Sequence, residues 1–563
     1  MRILLLTRSF NSLTQRLYVE LAARGHALSV EFDIADSVTE EAVALFAPDL
    51  VIAPFMKRAI PASVWQRHVC LVVHPGPPGD RGPSALDWAI QEGERAWGVT
   101  VLQAEAEMDA GPVWAAEAFP MRAGTKSSLY RGEVTEAAVR AVLAAVERFG
   151  SGAYVPQRVS PGAPGVVGRP RPLLRQEARA IDWQRDDTAT VLRRIAAADG
   201  APGVRDAMFG VPCFLYDAQP AVAPAGAAAG KVVARAGRGV LRATRDGAVW
   251  IGHCKRADRD DALKLPVALA FPQSWQALPE ADGPAEIRYE EHGAVGVLHF
   301  AFYNGAMSTA QCEQLRAAYL AALARPTRVL MLAGGPEFFS NGIHLNAIEA
   351  AASPADESWR NIVAMDDLCQ AVLETTDRLT VAALQGNAGA GGCFFALTCD
   401  EVWARAGVIL NPHYKNMGNL YGSEFWTYTL PRRVKRGAPG AVMENRLPVG
   451  AAQAAALGLV DRVFDAGREA FLPQAIAQAA ALAGSAEFAA RLAAKQARRA
   501  RDEADKPLAA YRDEELAKMK RNFYGFDPSY HYARAHFVHK VPHAWTPLHL
   551  AVHRQRRPVG RPH

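Results

Sequence analysis

The chain has 563 residues, of which 50% are hydrophobic and 21% are charged. These values are typical of a soluble globular protein with roughly three or four folding units, and they exclude a collagen, a disordered tail and a disulfide-rich mini-protein. The formal charge of +5 is weak for this length. It gives no reason to expect nucleic-acid binding, although it is compatible with anionic small molecules.

The sequence indicates neither a membrane segment nor a disulfide framework. The longest apolar runs, such as Thr380–Leu384, are far shorter than the ~20 residues that a membrane helix requires. The first seven residues are too short for a secretory signal and are typical of a β-strand. The seven cysteines are scattered and form no Cys-x-x-Cys pair. We therefore expect reduced thiols, no membrane partner and a cytoplasmic protein.

Strands and helices alternate over residues 1–160, the first predicted domain. A predicted amphipathic helix at Leu13–Arg24 and another at Glu40–Phe46 separate the first three strands. This alternation predicts an α/β domain with a doubly wound parallel sheet, whose functional residues lie at the carboxyl ends of the strands. The predicted strands are Ile3–Thr7, Ala27–Phe32, Leu50–Ala53, Cys70–Val73 and Val99–Gln103.

A stretch rich in proline and glycine at Pro156–Pro172 predicts a linker. Residues 170–280 form the second predicted domain, in which a short helix at Thr188–Ala198 precedes the alternating apolar and polar pattern of Gly230–Lys255. This pattern, broken by glycine turns, is typical of a small antiparallel β-domain. The Gly-Pro pair within Ala281–Ala285 predicts a further hinge.

Residues 286–470 form a third predicted unit in which strands and helices again alternate. Residues 471–563 are rich in alanine, arginine and lysine with helical spacing. We expect them to form helices that pack on the rest of the chain and end in a basic, histidine-rich tail. The third unit is predicted to contain the strands Val295–Phe302, Arg328–Ala333 and Thr380–Gln385 and the helices Thr309–Ala324, Asp366–Asp377 and Gly391–Cys399.

The first candidate active site combines a histidine with an aspartate. His74 directly follows an apolar strand, and Asp109 lies about 35 residues later on a glycine-flanked turn. An imidazole can donate to a carbonyl oxygen, while a carboxylate orients the ring and handles a proton. The pair therefore indicates polar chemistry on a carbonyl group.

The wider motif resembles the folate-dependent formyltransferases of the methionyl-tRNA and glycinamide ribonucleotide types. It consists of His-Pro at 74–75, a Gly-Val-Thr strand at 98–100 and an Asp-x-Gly turn at 109–111. The resemblance covers about the first 280 residues, including the predicted β-domain. It implies that His74 and Asp109 are catalytic and that N10-formyl-tetrahydrofolate donates the formyl group.

One position departs from that family, because Val72 stands where the formyltransferases have an asparagine. Losing such a donor typically costs about 2.7–4 kcal/mol of transition-state stabilisation. Either another donor replaces it, or the formyl acceptor is an easier nucleophile such as a thiol. The candidates for replacement donors and for binding the anionic folate are Arg8, Ser9, Gln15 and Arg131.

The second candidate site consists of two glycine-containing loops. The first loop reads Ser-Asn-Gly-Ile at 340–343, and the second, at 385–394, opens a predicted helix. Glycines let the backbone approach a ligand closely, so each loop can offer one N–H group to the same oxyanion. The predicted cofactor-binding residues of these loops are Ser340, Asn341, Gly342 and Gly392.

These loops resemble the enoyl-CoA hydratase/isomerase (crotonase) superfamily, and the resemblance covers residues 287–470. It implies that the N–H groups of Ile343 and Gly391 polarise the carbonyl of a CoA thioester. A hydratase also needs two carboxylates to activate water, but Phe394 and Tyr414 stand at those positions. Water activation is therefore not expected. Tyr414 and Glu424, the latter among aromatic residues, are the candidate catalytic residues for proton transfer. We expect Glu424 to be the base and Tyr414 to position the proton or to protonate the thiolate, and the sequence leaves the reverse assignment open.

The combination of a formyl-donor site with a CoA-thioester site resembles the HypX/HoxX family of maturation proteins for nickel–iron hydrogenases. Residues 79–84 and 522–527 look characteristic of that family. The resemblance implies that the formyl group passes to coenzyme A and that formyl-CoA is decarbonylated to carbon monoxide. The carbon monoxide would become the iron ligand of the hydrogenase. The implied partners are the immature hydrogenase large subunit or its iron-delivery maturation proteins.

Two other functions are compatible with the sequence. One is a formyltransferase and formyl-CoA hydrolase fusion acting on another acceptor, against which Val72 and the CoA-type loops count. The other is a non-catalytic CoA-binding scaffold, against which the pair of His74 and Asp109 counts.

The C-terminal histidines offer a separate feature. His536, His539 and His543 are spaced as on one helix face, and nickel or iron would suit such a site. No cysteine or paired carboxylate accompanies them, so a packed or solvated tail is the preferred interpretation. We predict no metal site.

Overall fold

The computed structural model describes residues 1–434 and 439–555. It has two compact units: Met1–Gly283 together with the segment from Pro542 onward, and Pro284–Val541. The predicted multidomain α/β fold class is confirmed by the sheets described below. All seven cysteines are buried free thiols. Among the described residues, no helix combines the length and the apolar character needed to span a membrane.

The first unit begins with a six-stranded sheet formed by β1 (Arg2–Thr7), β2 (Ala27–Phe32), β3 (Leu50–Phe55), β4 (Cys70–His74), β5 (Ala96–Gln103) and β6 (Val113–Pro120). The strand order is β2-β1-β3-β4-β5-β6. Strands β1 to β4 are parallel, whereas β5 and β6 run antiparallel to their neighbours. Four consecutive leucine and isoleucine side chains of β1, residues 3–6, are fully buried, as expected for a parallel sheet that is covered on both faces.

Helices connect these strands. Asn11 caps the first of them, because its side chain accepts a hydrogen bond from the backbone of Thr14 at 3.0 Å. The second begins at Asp36 rather than at the predicted Glu40, and an acidic residue in the first turn suits the positive end of a helix. The helices are α1 (Ser12–Ala23), α2 (Asp36–Phe46), α3 (Ala62–Trp65), α4 (Ala85–Glu92), α5 (Lys126–Leu129) and α6 (Thr135–Ser151), and a π-helical turn at Tyr130–Val134 joins the last two.

The small β-domain contains β7 (Val204–Met208), β8 (Val211–Ala221), β9 (Val232–Ala236), β10 (Gly239–Ala243), β11 (Ala248–Arg256) and β12 (Lys264–Pro266), with α7 (Gln176–Arg179), α8 (Thr188–Ala198), α9 (Val267–Ala270) and α10 (Pro272–Gln276). The strand order is β7-β8-β11-β10-β9, and β12 pairs with β11. All of these pairings are antiparallel. Val191 and Ile195 of α8 are fully buried in the core of this domain.

Part of the predicted linker is a packed segment, which we call the strap (residues 166–171). The backbone N–H of Arg171 donates to the carbonyl of Arg81 at 2.8 Å, in the loop that follows β4. Gly168 leaves no room for a side chain, since a Cβ there would lie 2.1 Å from the backbone nitrogen of Asp80. Composition predicts a linker here, and the structure shows that the strap is held by contacts with a loop almost ninety residues earlier in the chain.

The second unit contains two sheets built from β13 (Ile287–His292), β14 (Val295–Phe300), β15 (Val329–Ala333), β16 (Phe338–Ser340), β17 (Leu379–Leu384), β18 (Asn387–Gly389), β19 (Glu401–Arg405), β20 (Ile409–Asn411), β21 (Val449–Gly450) and β22 (Arg462–Phe464). The orders are β13-β14-β15-β17-β19-β22 and β16-β18-β20-β21. Strands β16 and β18 are neighbours, so the loops that follow them lie at the same edge. These are the two loops predicted to form an oxyanion site.

The helices of the second unit are α11 (Thr309–Leu323), α12 (Leu345–Glu349), α13 (Pro354–Glu374), α14 (Gly391–Leu397), α15 (Trp426–Arg433), α16 (Pro439–Glu444), α17 (Ala451–Leu457), α18 (Arg468–Gly484), α19 (Phe488–Asp505), α20 (Leu508–Tyr524) and α21 (Ser529–Val538). α13 begins 12 residues before the predicted start at Asp366, because Ser353 caps its first turn. Helix α18 packs on the larger sheet through Phe471. Helix α20 contributes Met519 and Phe523 to the main core.

The predicted C-terminal segment, residues 471–563, is divided between the two units. Its helices α18 to α21 belong to the second unit, whereas residues within 542–555 pack on the edge strand β2 of the first. The carbonyl of Leu550 accepts from the backbone of Val30 at 3.0 Å. His553 Nε2 lies 2.9 Å from Glu31 Oε2, and both side chains are fully buried.

Glu31 is the centre of this C-terminal contact. Burial alone would raise its pKa, but hydrogen bonds from His553, Thr546 and Arg554 outweigh burial and lower the pKa. The carboxylate of Glu31 is therefore charged although it is buried, and the hydrogen bonds from its three partners stabilise that charge.

We expect the His553→Ala variant to lower the free energy of unfolding of the first unit by about 3 kcal/mol, because a buried carboxylate loses a partner. Thermal and urea unfolding at neutral pH measure the loss. Val552 is 42% exposed in the same segment, so Val552→Ala is a matched control with an expected cost below about 0.5 kcal/mol. Equal stability of the two variants would contradict this account of the C-terminal contact.

Candidate functional site

The two residues of the first predicted site lie together in the structure. His74 ends strand β4 and is 4% exposed. Its Nδ1 lies 3.6 Å from Oδ2 of Asp109. Asp109 has a left-handed backbone, with a φ of 56°, and Oδ2 accepts a hydrogen bond from the N–H of Gly82 at 3.1 Å. The strained turn therefore holds the carboxylate against the imidazole.

The structure adds Asp80, a residue that the sequence reasoning missed. Its Oδ1 lies 2.9 Å from Nε2 of His74, and its Oδ2 is bound by the guanidinium of Arg171 from the strap. Arg171 also bonds to Glu92 at 3.0 Å and lies over the ring of Trp97, 5.1 Å from its centroid. The only sequence signal was an acidic residue within the glycine-rich loop after the histidine.

The four candidate folate ligands are placed around the carboxyl end of β1 and on the π-helical turn. The guanidinium of Arg8 donates to the carbonyl of Asp33 at 3.4 Å, and the amide of Gln15 donates to the carbonyl of Phe10 at 2.9 Å. Ser9 accepts from Thr7 through its carbonyl. These three residues and Arg131 are not among the described side chains that bond to His74.

The two glycine loops of the second unit pack directly against each other. A Cβ on Gly342 would lie 3.3 Å from the nitrogen of Gly391, and a Cβ on Gly392 would lie 2.0 Å from the carbonyl oxygen of Ser340. The backbones of the two loops are therefore in close contact, and the N–H groups of Ile343 and Gly391 stay the candidate donors of an oxyanion site.

The side chains of Ser340 and Asn341 shape the first loop. Ser340 is fully buried, and its hydroxyl accepts from the N–H of Gly342 at 3.0 Å. The amide of Asn341 donates to the carbonyl of Asn304 at 2.9 Å. These contacts hold the turn at Gly342, and the cofactor-binding role expected of both residues stays a prediction.

Glu424 and Tyr414 meet in the interior of the second unit. The hydroxyl of Tyr414 bonds to Oε2 of Glu424, and the two side chains are 6% and 1% exposed, respectively. The ring of Phe394 stacks on Tyr414 with centroids 5.2 Å apart. A Cβ on Gly391 would lie only 2.2 Å from Oε1 of Glu424. The proposed proton-transfer groups thus contact one of the two oxyanion loops.

Two further carboxylates that the sequence reasoning missed support this segment. Asp366 of α13 accepts from the N–H of Glu424 at 2.8 Å, and Glu515 of α20 accepts from the N–H of Phe425 at 2.9 Å. Ser423 donates to Asp366 through its hydroxyl at 2.7 Å. Glu424 and Phe425 both have left-handed backbones, with φ of 61° and 57°. Strain of this kind persists only when the surroundings enforce it.

Burial changes the acidity of these groups. Burial first, and then the nearby Asp366, raise the pKa of Glu424 to about 8, although the hydrogen bond from Tyr414 lowers it. Burial raises the pKa of Asp366 to about 6 and that of Glu515 to about 8. Burial also raises the pKa of Tyr414 well above its usual value. A carboxyl group with a pKa near 8 is suited to exchanging protons near neutral pH.

The C-terminal histidines do not form a cluster in the structure. His539 lies 3.5 Å from Glu349 in the second unit, whereas His543 packs on Phe32 and His553 bonds to Glu31 in the first. Across residues 1–434 and 439–555, no group of three or more metal-ligating side chains is arranged to hold an ion.

Comparisons with known proteins match every part of the chain. The family models for the formyl transferase and its C-terminal domain match residues 28–146 and 173–262, and that for the enoyl-CoA hydratase/isomerase matches 298–545. The hydrogenase maturation factor HoxX of Bradyrhizobium diazoefficiens is 59% identical, and the match covers 100% of this chain and 99% of that protein.

A solved structure is similar over nearly the same length. The crystal structure of HypX from Aquifex aeolicus in complex with tetrahydrofolic acid has a TM-score of 0.95 and 48% identity, over 99% of each chain. The methionyl-tRNA formyltransferase of Albidiferax ferrireducens is 28% identical, but the match covers only 28% of this chain and 49% of that enzyme.

Proposed function

The chain belongs to the family of hydrogenase maturation factors that includes HoxX and HypX, and from this premise we propose that it synthesises carbon monoxide. In the first step a formyl group passes from N10-formyl-tetrahydrofolate to coenzyme A, and in the second formyl-CoA is decarbonylated. The observation that carries the proposal is the buried pair of Glu424 and Tyr414 against an oxyanion loop, in a chain that also holds the formyltransferase pair of His74 and Asp109.

The first step is acyl transfer to a thiol. The sulfur of coenzyme A attacks the formyl carbon, the bond between that carbon and N10 breaks, and the thiol proton is returned to N10. His74 carries the proton, and the carboxylate of Asp109, 3.6 Å from Nδ1, stabilises the imidazolium that results. A thiol is an easier nucleophile than the amine acceptors of other formyltransferases. The higher reactivity of the thiol offsets the transition-state stabilisation that is lost because Val72 stands in place of the asparagine.

The second step is removal of the formyl proton with loss of the thiolate. Formyl-CoA has no α-carbon, so the enolate chemistry of the crotonase superfamily is not available to it. The N–H groups of Ile343 and Gly391 polarise the carbonyl, and Glu424 takes the proton from the formyl carbon. The bond between carbon and sulfur then breaks, carbon monoxide leaves, and Tyr414 protonates the sulfur. Glu424 returns its proton to Tyr414 across their hydrogen bond, so one formyl-CoA gives one carbon monoxide and one coenzyme A.

The role in hydrogenase maturation also indicates which proteins receive the carbon monoxide. Carbon monoxide is a ligand for iron, so the proposed recipients are the immature hydrogenase large subunit or its iron-delivery maturation proteins. The sequence expectation of a cytoplasmic protein accords with this role.

Purified protein supplied with N10-formyl-tetrahydrofolate and coenzyme A tests the proposal. We expect carbon monoxide in the head space, detected by haemoglobin absorbance, in an amount equal to the tetrahydrofolate formed. Formate without carbon monoxide would favour a formyl-CoA hydrolase. Binding of coenzyme A without turnover would favour a scaffold.

Phe394 is expected to protect formyl-CoA from water, because its ring covers Tyr414 where the hydratases have a water-binding carboxylate. In the Phe394→Leu variant we expect the ratio of formate to carbon monoxide to rise about tenfold, which corresponds to about 1.4 kcal/mol of lost discrimination. Phe395→Leu is the matched control, because that fully buried ring packs instead on Phe300 and Phe339. An unchanged product ratio in both variants would remove this role from Phe394.

A further inference from the structure

The contact between His74 and Asp80 has no role in the two steps above. His74 Nε2 lies 2.9 Å from Asp80 Oδ1, which is shorter than the 3.6 Å between Nδ1 and Asp109. Asp80 is 1% exposed and Arg171 is 7% exposed. The imidazole thus has a carboxylate at each nitrogen, and Asp80 is also bound by an arginine.

We propose that Asp80 and Arg171 are positioning residues that present Nδ1 of His74 as the proton acceptor for formyl transfer. This inference rests on the proposed function. When Nε2–H donates to Asp80, the lone pair of a neutral imidazole is on Nδ1, at the side of Asp109. Asp80 therefore selects the tautomer in which that side of the ring can receive a proton, as the aspartate of a catalytic triad does for its histidine.

The protein backbone is built to bring these groups together. A Cβ on Gly76 would lie 2.6 Å from both Asp80 Oδ1 and His74 Nε2, and a Cβ on Gly82 would lie 2.1 Å from the carbonyl oxygen of Arg171. The loop and the strap therefore approach each other as closely as glycine allows. This packing delivers the guanidinium of Arg171 to a carboxylate that is otherwise closed off from water.

Arg171 of the strap is suited to be the second partner of Asp80. A buried carboxylate needs a second partner, since the imidazole alone occupies one oxygen. The guanidinium is planar and binds Asp80 and Glu92 at the same time, and its position over Trp97 sets the plane in which it lies. A lysine at this position would keep the positive charge, but it lacks the planar guanidinium that binds both carboxylates at once.

The proton balance of the step follows from this arrangement. The thiol proton of coenzyme A moves to Nδ1 of His74 as the sulfur–carbon bond forms. The resulting imidazolium donates one proton to Asp80 and the other toward Asp109. When the bond from carbon to N10 breaks, Nδ1 returns its proton to N10. Asp80 stays a carboxylate throughout, because Arg171 remains bound to it.

The Asp80→Asn variant tests the inference. We expect kcat for formyl transfer to coenzyme A to fall about 100-fold or more, with the KM for N10-formyl-tetrahydrofolate unchanged. We expect Arg171→Lys to lower kcat by a smaller factor and Arg169→Ala to leave it unchanged. Arg169 is the matched control, because it lies on the same strap with a side chain that is 60% exposed.

Nitrogen-15 NMR of the histidine rings measures which nitrogen of His74 carries the proton, and a His74→Asn sample assigns the signals. This tautomer should stay the same if Asp80 only supports the fold. The neutral ring of His74 should carry its proton on Nε2 in the wild type and on Nδ1 in Asp80→Asn. Carbon monoxide release from supplied formyl-CoA should be unchanged in this variant. The same tautomer in both proteins, or a wild-type kcat in Asp80→Asn, would overturn the inference.

The two proposals fail in different ways. If the wild-type protein forms no formyl-CoA, the proposed function is wrong, yet the NMR comparison still tests whether Asp80 sets the tautomer of His74. If the wild type forms formyl-CoA and the variant does so equally well, only the positioning role is wrong.

Discussion

In the Glu424→Gln variant, carbon monoxide release from supplied formyl-CoA is expected to fall by a factor of about 10²–10⁴, the usual contribution of a positioned general base. Glutamine keeps the size of the side chain and can still bond to Tyr414, but it cannot accept the formyl proton. Formyl transfer to coenzyme A should continue, so formyl-CoA accumulates. Head-space gas measurement and chromatography of the CoA esters follow the two products separately.

The dependence of this reaction on pH provides a second measurement of the same residue. Because the pKa of Glu424 is raised to about 8, its carboxylate form increases as the pH rises toward that value. Carbon monoxide release should therefore increase from about pH 6 and level off above about pH 9. A rate that falls over this range would instead make Glu424 the acid of the reaction.

Neighbouring variants should move this pH profile in opposite directions. Asp366→Asn removes a negative charge that raises the pKa of Glu424, so the midpoint should fall. Tyr414→Phe removes the group that protonates the sulfur, so the rate should drop, and it also removes a hydrogen bond that lowers the pKa of Glu424, so the midpoint of the remaining rate should rise. The groups that act on Glu424 also include Glu515 of α20, which raises its pKa. Asp367→Asn is the matched control, because the side chain of Asp367 is 39% exposed and forms an ion pair with Arg512.

In the His74→Asn variant, formyl transfer from N10-formyl-tetrahydrofolate is expected to fall by a factor of about 10²–10⁴, because the proton carrier of the first step is lost. The second step should be untouched, so supplied formyl-CoA should yield carbon monoxide at the wild-type rate. Tetrahydrofolate formation, followed by absorbance, measures the first step alone.

The result of the His74 variant separates the proposed function from its alternatives. If carbon monoxide still forms from formyl-tetrahydrofolate at the wild-type rate, His74 has no part in the transfer. If supplied formyl-CoA also fails to react, the two steps are not independent, and the assignment of separate catalytic groups is wrong. His68→Asn is a control in the same unit, since His68 precedes β4 and lies outside the contacts described for His74.

Local patterns were sufficient for most of the fold. The apolar run of β1 and the amphipathic pattern of α1 each depend on a few neighbouring residues, and both elements were predicted at nearly their observed positions. The alternation over Gly230–Lys255 likewise predicted antiparallel strands where β9, β10 and β11 are found. The start of α13 was missed because its first turns carry polar side chains, and the cap at Ser353 was a weak signal.

Some residues of the candidate sites were named from the sequence, and others were found only in the structure. His74, Asp109, Tyr414 and Glu424 were identified because each lies within or beside a motif whose spacing resembles a known family. Asp80, Asp366 and Glu515 were not, since an aspartate or glutamate in a loop or helix is usually a solvated charge. Their importance comes from burial and from partners that are distant in the sequence.

The sequence by itself determined the α/β character of the units and most of their strands and helices, because glycine turns, capping residues and apolar periodicity act over short distances. The two predicted centres came from motifs that resemble known families. Only the tertiary structure decided that Arg171 reaches Asp80 from 91 residues away, that Glu515 supports the backbone of Phe425 from 90 residues away, and that His553 returns to Glu31. The physical reason is that a charge becomes a buried ion pair only when packing removes water from both partners. No local pattern in the chain records which partners will meet.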